Sequence, residues 1–370
     1  MTKPDPLARV PEVIGQDVMS DKKSAIDLHH LWACDDTSGR LDEPLGHCDG
    51  VRRRQTRDVY AHACNITAWQ QLYDQLDPGP FRGELTEVWL DGLQFFREYT
   101  SHALHQSCMV WPGAFWFGIP YGDKDVGYIG RDCIDAQAIA VRPGGREFEL
   151  STPDDYNILG LVVEREALLE HLELEELRHL GLLLDESRLL QVEPGARRRL
   201  CDFMRAALAL AQVEPLSLRE PAVARQLNHD LLLCLLDLLQ GAEPARHACS
   251  RTLLRKHWVV ARAREYVLDN PSRPVSALEL CRLLHVSQRT LRNCFLDVLG
   301  RSPIHYLKAV RLNAVHRELG SPHSPYATVQ DAAMAWGFWH MGQFGRDYQR
   351  LFGERPSATL ANRERLSAAW

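Results

Sequence analysis

The spacing of apolar residues changes character near residue 165. Before that point, short segments alternate or are rich in β-forming residues, and turn sequences such as Asp91-Gly92 and Pro143-Gly-Gly145 separate them. Many short strands at this spacing predict a β-sandwich or small barrel, which typically encloses a ligand cavity. The predicted strands cover residues 84–90, 94–99, 108–111, 116–119, 128–129, 138–141, 147–150 and 156–163.

A helical period of apolar residues begins at residue 166. It predicts amphipathic helices over residues 167–181, 196–213 and 222–239, and a further helix earlier in the chain, over residues 61–76. The leucines of the 222–239 segment form one apolar side, which would pack either on the sandwich or on a second copy of the chain. Residues 241–250 are the candidate linker.

Two helix-turn-helix patterns follow, within residues 276–352. The first runs from Ser276 through Val286 to Gly300, and the second from Thr328 through Gly337 to Phe352. Between them lies one helix, residues 304–319, for which we expect apolar contacts from Ile304 onwards. At ~1.5 Å per residue it spans ~24 Å. With its flanking turns it can hold two recognition helices one DNA turn, ~34 Å, apart.

Helix geometry predicts which side chains of the two recognition helices point outward. In the first, Leu291, Cys294, Phe295 and Val298 form the core stripe. Ser287 is the expected N-cap, and its helix presents Gln288, Arg289, Arg292 and Asn293, residue types that bind guanine or adenine edges. In the second, Gly342 and Gly345 leave few long side chains, so a phosphate clamp is expected there. The candidates for DNA contact in this second unit are Trp339, His340, Met341, Gln343, Arg346 and Arg350.

Charge is distributed unevenly along the 370 residues. Hydrophobic residues at 45% and charged residues at 25% are typical of a soluble globular protein, and the net charge is −6. From His257 to the end there are 15 basic and 9 acidic residues, against 28 and 40 in the remainder. A basic C-terminal module on an acidic body is typical of a nucleic-acid-binding end.

Cysteine usage and the termini predict a cytoplasmic protein without a membrane segment. The ten cysteines contain no Cys-x-x-Cys pair, which suits neither a zinc site nor a disulfide scaffold and favours reduced thiols. The N-terminus lacks the apolar core of a signal peptide. No His-Glu-x-x-His, Gly-x-Ser-x-Gly or phosphate-loop motif is present, so we expect no catalytic or metal site.

The C-terminal signature resembles that of the AraC/XylS family of transcription regulators. The similarity rests on Gly337-Phe338, on Phe344 and Arg346 of the second recognition helix, and on the closing Phe352-Gly-Glu-Arg-Pro356. Upstream stretches, including residues 66–75, 94–99, 115–120 and 142–156, look like the ethanolamine-utilisation regulators of that family. The resemblance implies a transcription activator that responds to ethanolamine and adenosylcobalamin as effectors, without a catalytic cofactor. Its partners would be double-stranded operator DNA and RNA polymerase, with a homodimer possible.

Ethanolamine carries a small ammonium group, for which aromatic faces and a carboxylate are the expected ligands. The aromatic-rich strands supply Trp111 and Trp116, and neighbouring predicted strands supply Glu87 and Glu98. These four residues are the candidate effector-binding set. The same aromatic side chains are also typical of a sandwich core.

The sequence thus predicts an α+β protein with four parts. They are a mobile arm (residues 1–50), a β-sandwich or cupin-like sensor domain (51–165), a helical region with a possible dimer contact (166–245), and an all-α DNA-binding domain (250–370) with two helix-turn-helix units joined by a long helix. Two alternatives remain, namely a regulator of the same type with a different effector and a metal-dependent cupin-like enzyme.

Overall fold

A computed structural model describes residues 50–122, 127–130, 132–135, 137–170, 174–245 and 251–368. Nearly all of the predicted mobile arm, and residues 246–250 of the candidate linker, lie outside these ranges. Within them the predicted α+β class is confirmed, with a sandwich of two antiparallel sheets followed by helices.

Thirteen strands form two sheets within the described residues. The larger sheet has the order β1-β3-β4-β11-β6-β9-β12-β13 and the smaller β2-β5-β10-β7-β8. The strands are β1 Gly50–Thr56, β2 Gln70–Gln75, β3 Gly83–Leu90, β4 Leu93–Thr100, β5 Leu104–Met109, β6 Ala114–Pro120, β7 Gly127–Ile129, β8 Asp132–Ile134, β9 Ala138–Pro143, β10 Phe148–Thr152, β11 Tyr156–Glu164, β12 Leu189–Gln191 and β13 Glu243–Pro244.

Twelve helices are described along the same ranges. One short helix precedes β2, four cover the sheet region, and seven build the C-terminal domain. They are α1 Val59–Ala63, α2 Arg165–Leu169, α3 Leu174–Glu186, α4 Pro194–Val213, α5 Pro221–Leu239, α6 Arg251–Leu268, α7 Ala277–Leu283, α8 Gln288–Leu299, α9 Pro303–Gly320, α10 Val329–Ala335, α11 Met341–Phe352 and α12 Pro356–Ala368.

The large sheet buries both of its faces, because successive side chains point to opposite sides. On β4, Phe95 packs with the leucines of α4 and α5, whereas Phe96 points between the two sheets. The apolar stripe of α5, including Leu231, Leu232 and Leu235, is covered by this outer face. Packing on the sandwich therefore accounts for that stripe without a second copy of the chain.

The helix predicted over residues 61–76 is wrong for most of its length. The helix ends at Ala63, Ala68 adopts a left-handed backbone conformation with φ 60°, and Gln70–Gln75 form strand β2. Both faces of β2 are buried, one by the sandwich interior and the other by the C-terminal domain. Its apolar residues therefore do not alternate with polar ones, and their spacing fits a helix equally well.

Four further strands were not predicted. Arg52, Arg53 and Arg54 lie on the edge strand β1, and β8 pairs with β7 at the edge of the small sheet. Strands β12 and β13 come from the region expected to be only helical, and β12 pairs with β9 of the large sheet. The segment after residue 165 is thus continuous with the sandwich through both backbone pairing and helix packing.

The C-terminal domain follows the predicted order of helices. Serine or threonine hydroxyls cap four of them, since Ser276, Ser287, Ser302 and Thr328 each accept a backbone N–H from the first turn. The left-handed C-caps Gly300 and Gly353 end α8 and α11. These local signals explain why the helix ends lie close to their predicted positions.

Two remaining expectations concern thiols and membranes. Of the cysteines within the described residues, six are free and Cys64 is disulfide-bonded, so the expectation of reduced thiols is wrong at Cys64. None of the described helices has the length and apolar character that crossing a bilayer requires.

Candidate nucleic-acid interface and sensor interior

The first recognition helix, α8, presents the predicted face to solvent. Its core stripe is buried, with Leu291, Cys294 and Phe295 each at most 3% exposed. The predicted contact residues Ser287, Gln288, Arg289, Arg292 and Asn293 are all exposed. The Ser287 hydroxyl accepts the amide N–H of Thr290 at 3.0 Å, which fixes the start of the helix. Two arginines and an asparagine on one exposed helix face can read base edges in a major groove.

The second recognition helix, α11, is built differently at its start. His340 occupies the N-cap position without a side-chain hydrogen bond to the helix. Trp339, His340, Gln343, Arg346 and Arg350 are exposed, whereas Met341 is half-buried. Arg346 donates to Gln343 at 3.0 Å, so part of its donor capacity is already used. This helix offers fewer free long side chains than α8.

The interior of the sandwich holds all four candidate effector residues. Glu87 is fully buried, and its carboxylate is bonded by Thr67, Gln94 and Arg52. The bonds to the Thr67 hydroxyl and the Gln94 amide measure 2.6 and 2.9 Å. Because this carboxylate is already surrounded by donors, its main role in the described structure is to join β1, β3 and β4 to the residues before β2.

Glu98 has fewer partners than Glu87. The phenol of Tyr73 donates to its Oε1 atom at 2.9 Å, and the Nε2 atom of His62 lies 3.0 Å from the same oxygen. Burial and the Glu98 charge raise the pKa of Tyr73 well above its usual value, so the phenol stays protonated. Glu98 therefore contacts the small sheet through the phenol of Tyr73 on β2.

Tryptophans line the same interior. The indole rings of Trp89 and Trp111 lie 5.0 Å apart, and Trp116 stacks on Phe148 at 4.9 Å. The Nε1 atoms of Trp89, Trp111 and Trp116 are buried and have no hydrogen-bond acceptor among the described residues. Buried donors without acceptors are uncommon and mark positions where a polar ligand or water can bind.

Strand β2 connects this interior to the C-terminal domain. Tyr73 points inward to Glu98, whereas the next residue, Asp74, points outward to Arg317 at 2.6 Å and Arg264 at 3.3 Å. Burial alone would raise the pKa of Asp74, but the two guanidinium groups hold it below its usual value. The Asn313 side chain accepts the backbone N–H of Gln75 and donates to its carbonyl, at 2.8 and 2.9 Å.

The loop after β2 contacts both helix-turn-helix units. Arg301, just before α9, donates to the carbonyl of Leu76 and to the Asp77 carboxylate at 2.9 and 2.5 Å. From the other unit, the Leu351 carbonyl accepts the Gly79 amide at 3.0 Å. A β-carbon at Gly353 would come within 3.0 Å of Pro80, so a glycine is needed at this contact.

A third contact between the domains passes through a histidine. His316 on α9 lies between the Asp58 carboxylate, 2.7 Å from Nε2, and the Tyr348 hydroxyl, 2.6 Å from Nδ1. Among the described residues, Asp58, His316 and Glu354 form the one group with the composition and proximity of metal ligands. His316 is hydrogen-bonded to Asp58 and Tyr348, and Glu354 accepts a hydrogen bond from Thr359, so all three residues already have protein partners.

Sequence reasoning missed Asp74, Asn313, His316 and Arg317 as a set. One signal was present, because Asn313, His316 and Arg317 lie among the apolar residues of a helix that is buried around most of its circumference. Their partners on β2 and α1 were hidden by the incorrect helix prediction.

Comparisons with known proteins show several partial matches to this chain. A helix-turn-helix domain model matches residues 280–362. The XylDLEGF operon transcriptional activator 3 of Pseudomonas putida is 31% identical over 100 residues, which are 27% of this chain and 30% of that protein. A probable thc operon regulatory protein of Rhodococcus erythropolis is 30% identical over 102 residues, 28% of this chain and 31% of that protein.

A solved structure also matches part of this chain. It is a probable AraC family transcriptional regulator from Rhodopseudomonas palustris, 37% identical over 28% of this chain and 96% of that chain, with a TM-score of 0.26. The chain thus spans about a third of the length of the curated relatives described above.

Proposed function

We propose that this chain, which belongs to the AraC/XylS family of transcription regulators through its C-terminal domain, is a DNA-binding activator whose sandwich binds a small effector. The observation that carries the proposal is the exposed face of α8, with Arg289, Arg292 and Asn293 presented together. We further infer that it acts in the cytoplasm on operator DNA together with RNA polymerase.

The DNA assignment is tested by replacing two arginines of α8. Operator sequences are first selected from random duplex DNA with the wild-type protein. The double variant Arg289→Ala/Arg292→Ala should lose sequence-specific binding, because each bidentate contact contributes ~1–3 kcal/mol of discrimination. Circular dichroism and thermal unfolding should be unchanged, since both side chains are exposed.

A matched control removes the same charge elsewhere. Arg53 and Arg54 are exposed on β1 of the sandwich, and their replacement by alanine should leave operator affinity unchanged. Unchanged affinity in the α8 double variant would contradict the proposed DNA face. Wild-type binding should also weaken steeply with salt.

We propose that the effectors are ethanolamine and adenosylcobalamin. Support for ethanolamine comes from the similarity of the upstream stretches and from the composition of the sandwich interior. The ammonium group suits the Glu98 carboxylate and the faces of Trp111 and Trp116, whereas the hydroxyl can accept an indole N–H. For adenosylcobalamin the support is the sequence resemblance alone.

Calorimetry with the two compounds, singly and together, tests the effector assignment. Glu98→Gln should abolish the heat of ethanolamine binding. Glu84→Gln should retain it, because the Glu84 side chain does not contact the described residues inside the sandwich. If Glu98→Gln gives the same heat of ethanolamine binding as the wild type, Glu98 is not part of the site. If neither compound gives a heat of binding, the effector proposal fails and the DNA proposal is unaffected.

Strand β2 offers a route from effector to DNA. Tyr73 contacts the candidate effector carboxylate and Asp74 holds α9, which joins the two units. A ligand that moves Tyr73 therefore shifts the population of α9 orientations. Tyr73→Phe, which keeps the ring and removes the hydroxyl, should uncouple ethanolamine binding from operator affinity.

A further inference from the structure

A groove separates the two helix-turn-helix units above the first turns of α9. Its floor is formed by α9, one wall by the residues that begin α7, and the other by residues 337–347 of the second unit. We refer to it as the inter-unit groove. Its volume is about 330 Å³, within the range of about 300–1,000 Å³ that is typical of small-molecule sites and near its lower end.

Arg311 on α9 is the unusual side chain in the inter-unit groove. Its Nη1 atom is buried and has no hydrogen-bond partner among the described residues. Its guanidinium carbon lies 5.2 Å from the centre of the Phe338 ring, and burial lowers the pKa of this arginine. The aromatic ring offsets part of the lost hydration but offers no acceptor for the N–H groups. An anion in the groove would supply that acceptor.

The charges next to Arg311 indicate which charge a ligand in the groove should carry. Lys308 and Asp347 also line the inter-unit groove, and they pair with each other at 3.1 Å. This pair is neutral as a unit, so Arg311 leaves one positive charge without a counterion. A single negative charge is therefore the best complement, and a planar carboxylate can accept two parallel hydrogen bonds from a guanidinium.

Most of the remaining lining is apolar, and it is open to solvent at its edge. Ile304 is 64% exposed and Trp339 is 56% exposed, although the sequence predicted that Ile304 would be inside. Leu307 and Val275 continue this apolar wall into the groove. Exposed apolar patches around a concave site are typical of ligand-binding surfaces.

We propose that the inter-unit groove binds a small apolar monocarboxylate, with its carboxylate on Arg311 and its hydrocarbon body against Ile304, Leu307 and Trp339. This site lies in the DNA-binding domain, distinct from the sandwich, and it does not depend on the identity of the proposed effector. Because both units line it, a bound acid joins them. Because Trp339, His340 and Gln343 all line it, the acid meets three of the candidate DNA contacts.

A DNA phosphate is the competing anion. The apolar walls suit a hydrocarbon better than a sugar-phosphate backbone, and a volume of about 330 Å³ suits a small ligand better than a duplex. These features favour the small acid, and the experiment includes the other outcome.

Titration calorimetry of the full chain with benzoate and octanoate tests the site, with benzamide and octanamide as neutral counterparts. At least one acid should bind more tightly than its amide. Arg311→Gln should weaken binding of the acid by about tenfold to a hundredfold, the range expected for hydrogen bonds to a charged group, and leave the amide unaffected. Arg282→Gln, an exposed arginine on α7 outside the groove, is the matched control and should bind like the wild type.

A second variant keeps the test informative if Arg311→Gln does not fold. Ile304→Glu changes an exposed position and places a like charge beside the carboxylate, so it should also weaken binding of the acid. The proposal fails if the wild-type protein binds neither acid, or if both variants bind the acid as tightly as the wild type does. It also fails if Arg311→Gln reduces DNA affinity while no acid binds, since the anion would then be the DNA backbone.

Discussion

Arginines at two places in the C-terminal domain have opposite surroundings. On the side that meets the sandwich, the side chains of Arg317 and Arg264 are 3% and 15% exposed and share Asp74. On α8, Arg289 and Arg292 are exposed and make no ion pair with another described residue. The same type of side chain is therefore buried and paired at one place, and exposed without an ion pair among the described residues at the other.

This difference indicates which property each arginine contributes to. Removing a buried, paired arginine leaves its carboxylate partner uncompensated, which lowers the stability of the protein. An exposed arginine without a partner contributes little to stability and can bind a phosphate or a base. The comparison therefore predicts that stability and DNA affinity respond to different substitutions.

The largest expected effect is on stability, at the side that meets the sandwich. Arg317→Ala should lower the free energy of unfolding by ~3–5 kcal/mol, because the nearly inaccessible Asp74 loses its closest partner. Urea denaturation followed by circular dichroism measures this change. Arg262→Ala serves as the control, since its pair with Glu265 lies at the surface and contributes at most ~1 kcal/mol. If the free energy of unfolding falls by a similar small amount in both variants, the proposed difference between buried and exposed arginines is wrong.

An intermediate effect is expected on DNA affinity. Arg292→Ala should weaken specific operator binding by ~1–3 kcal/mol while changing the free energy of unfolding by less than ~0.5 kcal/mol. Arg346→Ala on α11 should weaken binding to all sequences alike and reduce the salt dependence by about one phosphate contact. Competition binding against mutated operators distinguishes a loss of base preference from a uniform loss of affinity. A larger change in base preference from Arg346→Ala would reverse the roles given to the two helices.

The smallest effect concerns acid stability at the His316 contact. Burial would raise the pKa of Asp58, but His316 and the amide of Ala61 lower it overall. Since the folded pKa lies below the unfolded value of ~3.9, the carboxylate contributes stability above about pH 4. That contribution is lost as the pH falls through the folded pKa.

Asp58→Asn tests this contribution, because asparagine can still cap α1 but does not titrate. Its stability curve from urea denaturation should decline less between pH 5 and pH 3 than that of the wild type. Asp202→Asn, an exposed carboxylate on α4, should leave the curve unchanged. If the stability of Asp58→Asn falls with pH as steeply as that of the wild type, the acid sensitivity comes from other groups.

The helix-turn-helix units were predictable because their signals are local. Ser287 and the stripe of Leu291, Cys294 and Phe295 depend on residues within a few turns of one helix. The contact between domains was not predictable in this way, because Asp74 and Arg317 are 243 positions apart. Strand β2 was missed for a related reason, since the domain that buries its outer face lies far along the chain.

The location of the candidate effector residues was predicted in part, while their role stays a prediction. Glu87 and Glu98 do lie on paired strands and share the inward face. Their hydrogen-bond partners Thr67, Gln94, His62 and Tyr73 come from other segments, and no spacing rule connects them. The sequence therefore predicted the residue types of the interior but not which carboxylate is already surrounded by protein donors.

The Asn313 amide has a consequence for any attempt to separate the two domains. It bonds the N–H and the carbonyl of Gln75 on β2, which is the outer strand of the small sheet, so a side chain takes the place of a neighbouring strand. An isolated sandwich would present this strand without a cover, and uncovered outer strands template pairing between molecules. We therefore expect a truncated fragment that contains only the sandwich to self-associate, and the helical domain to prevent this pairing in the full chain.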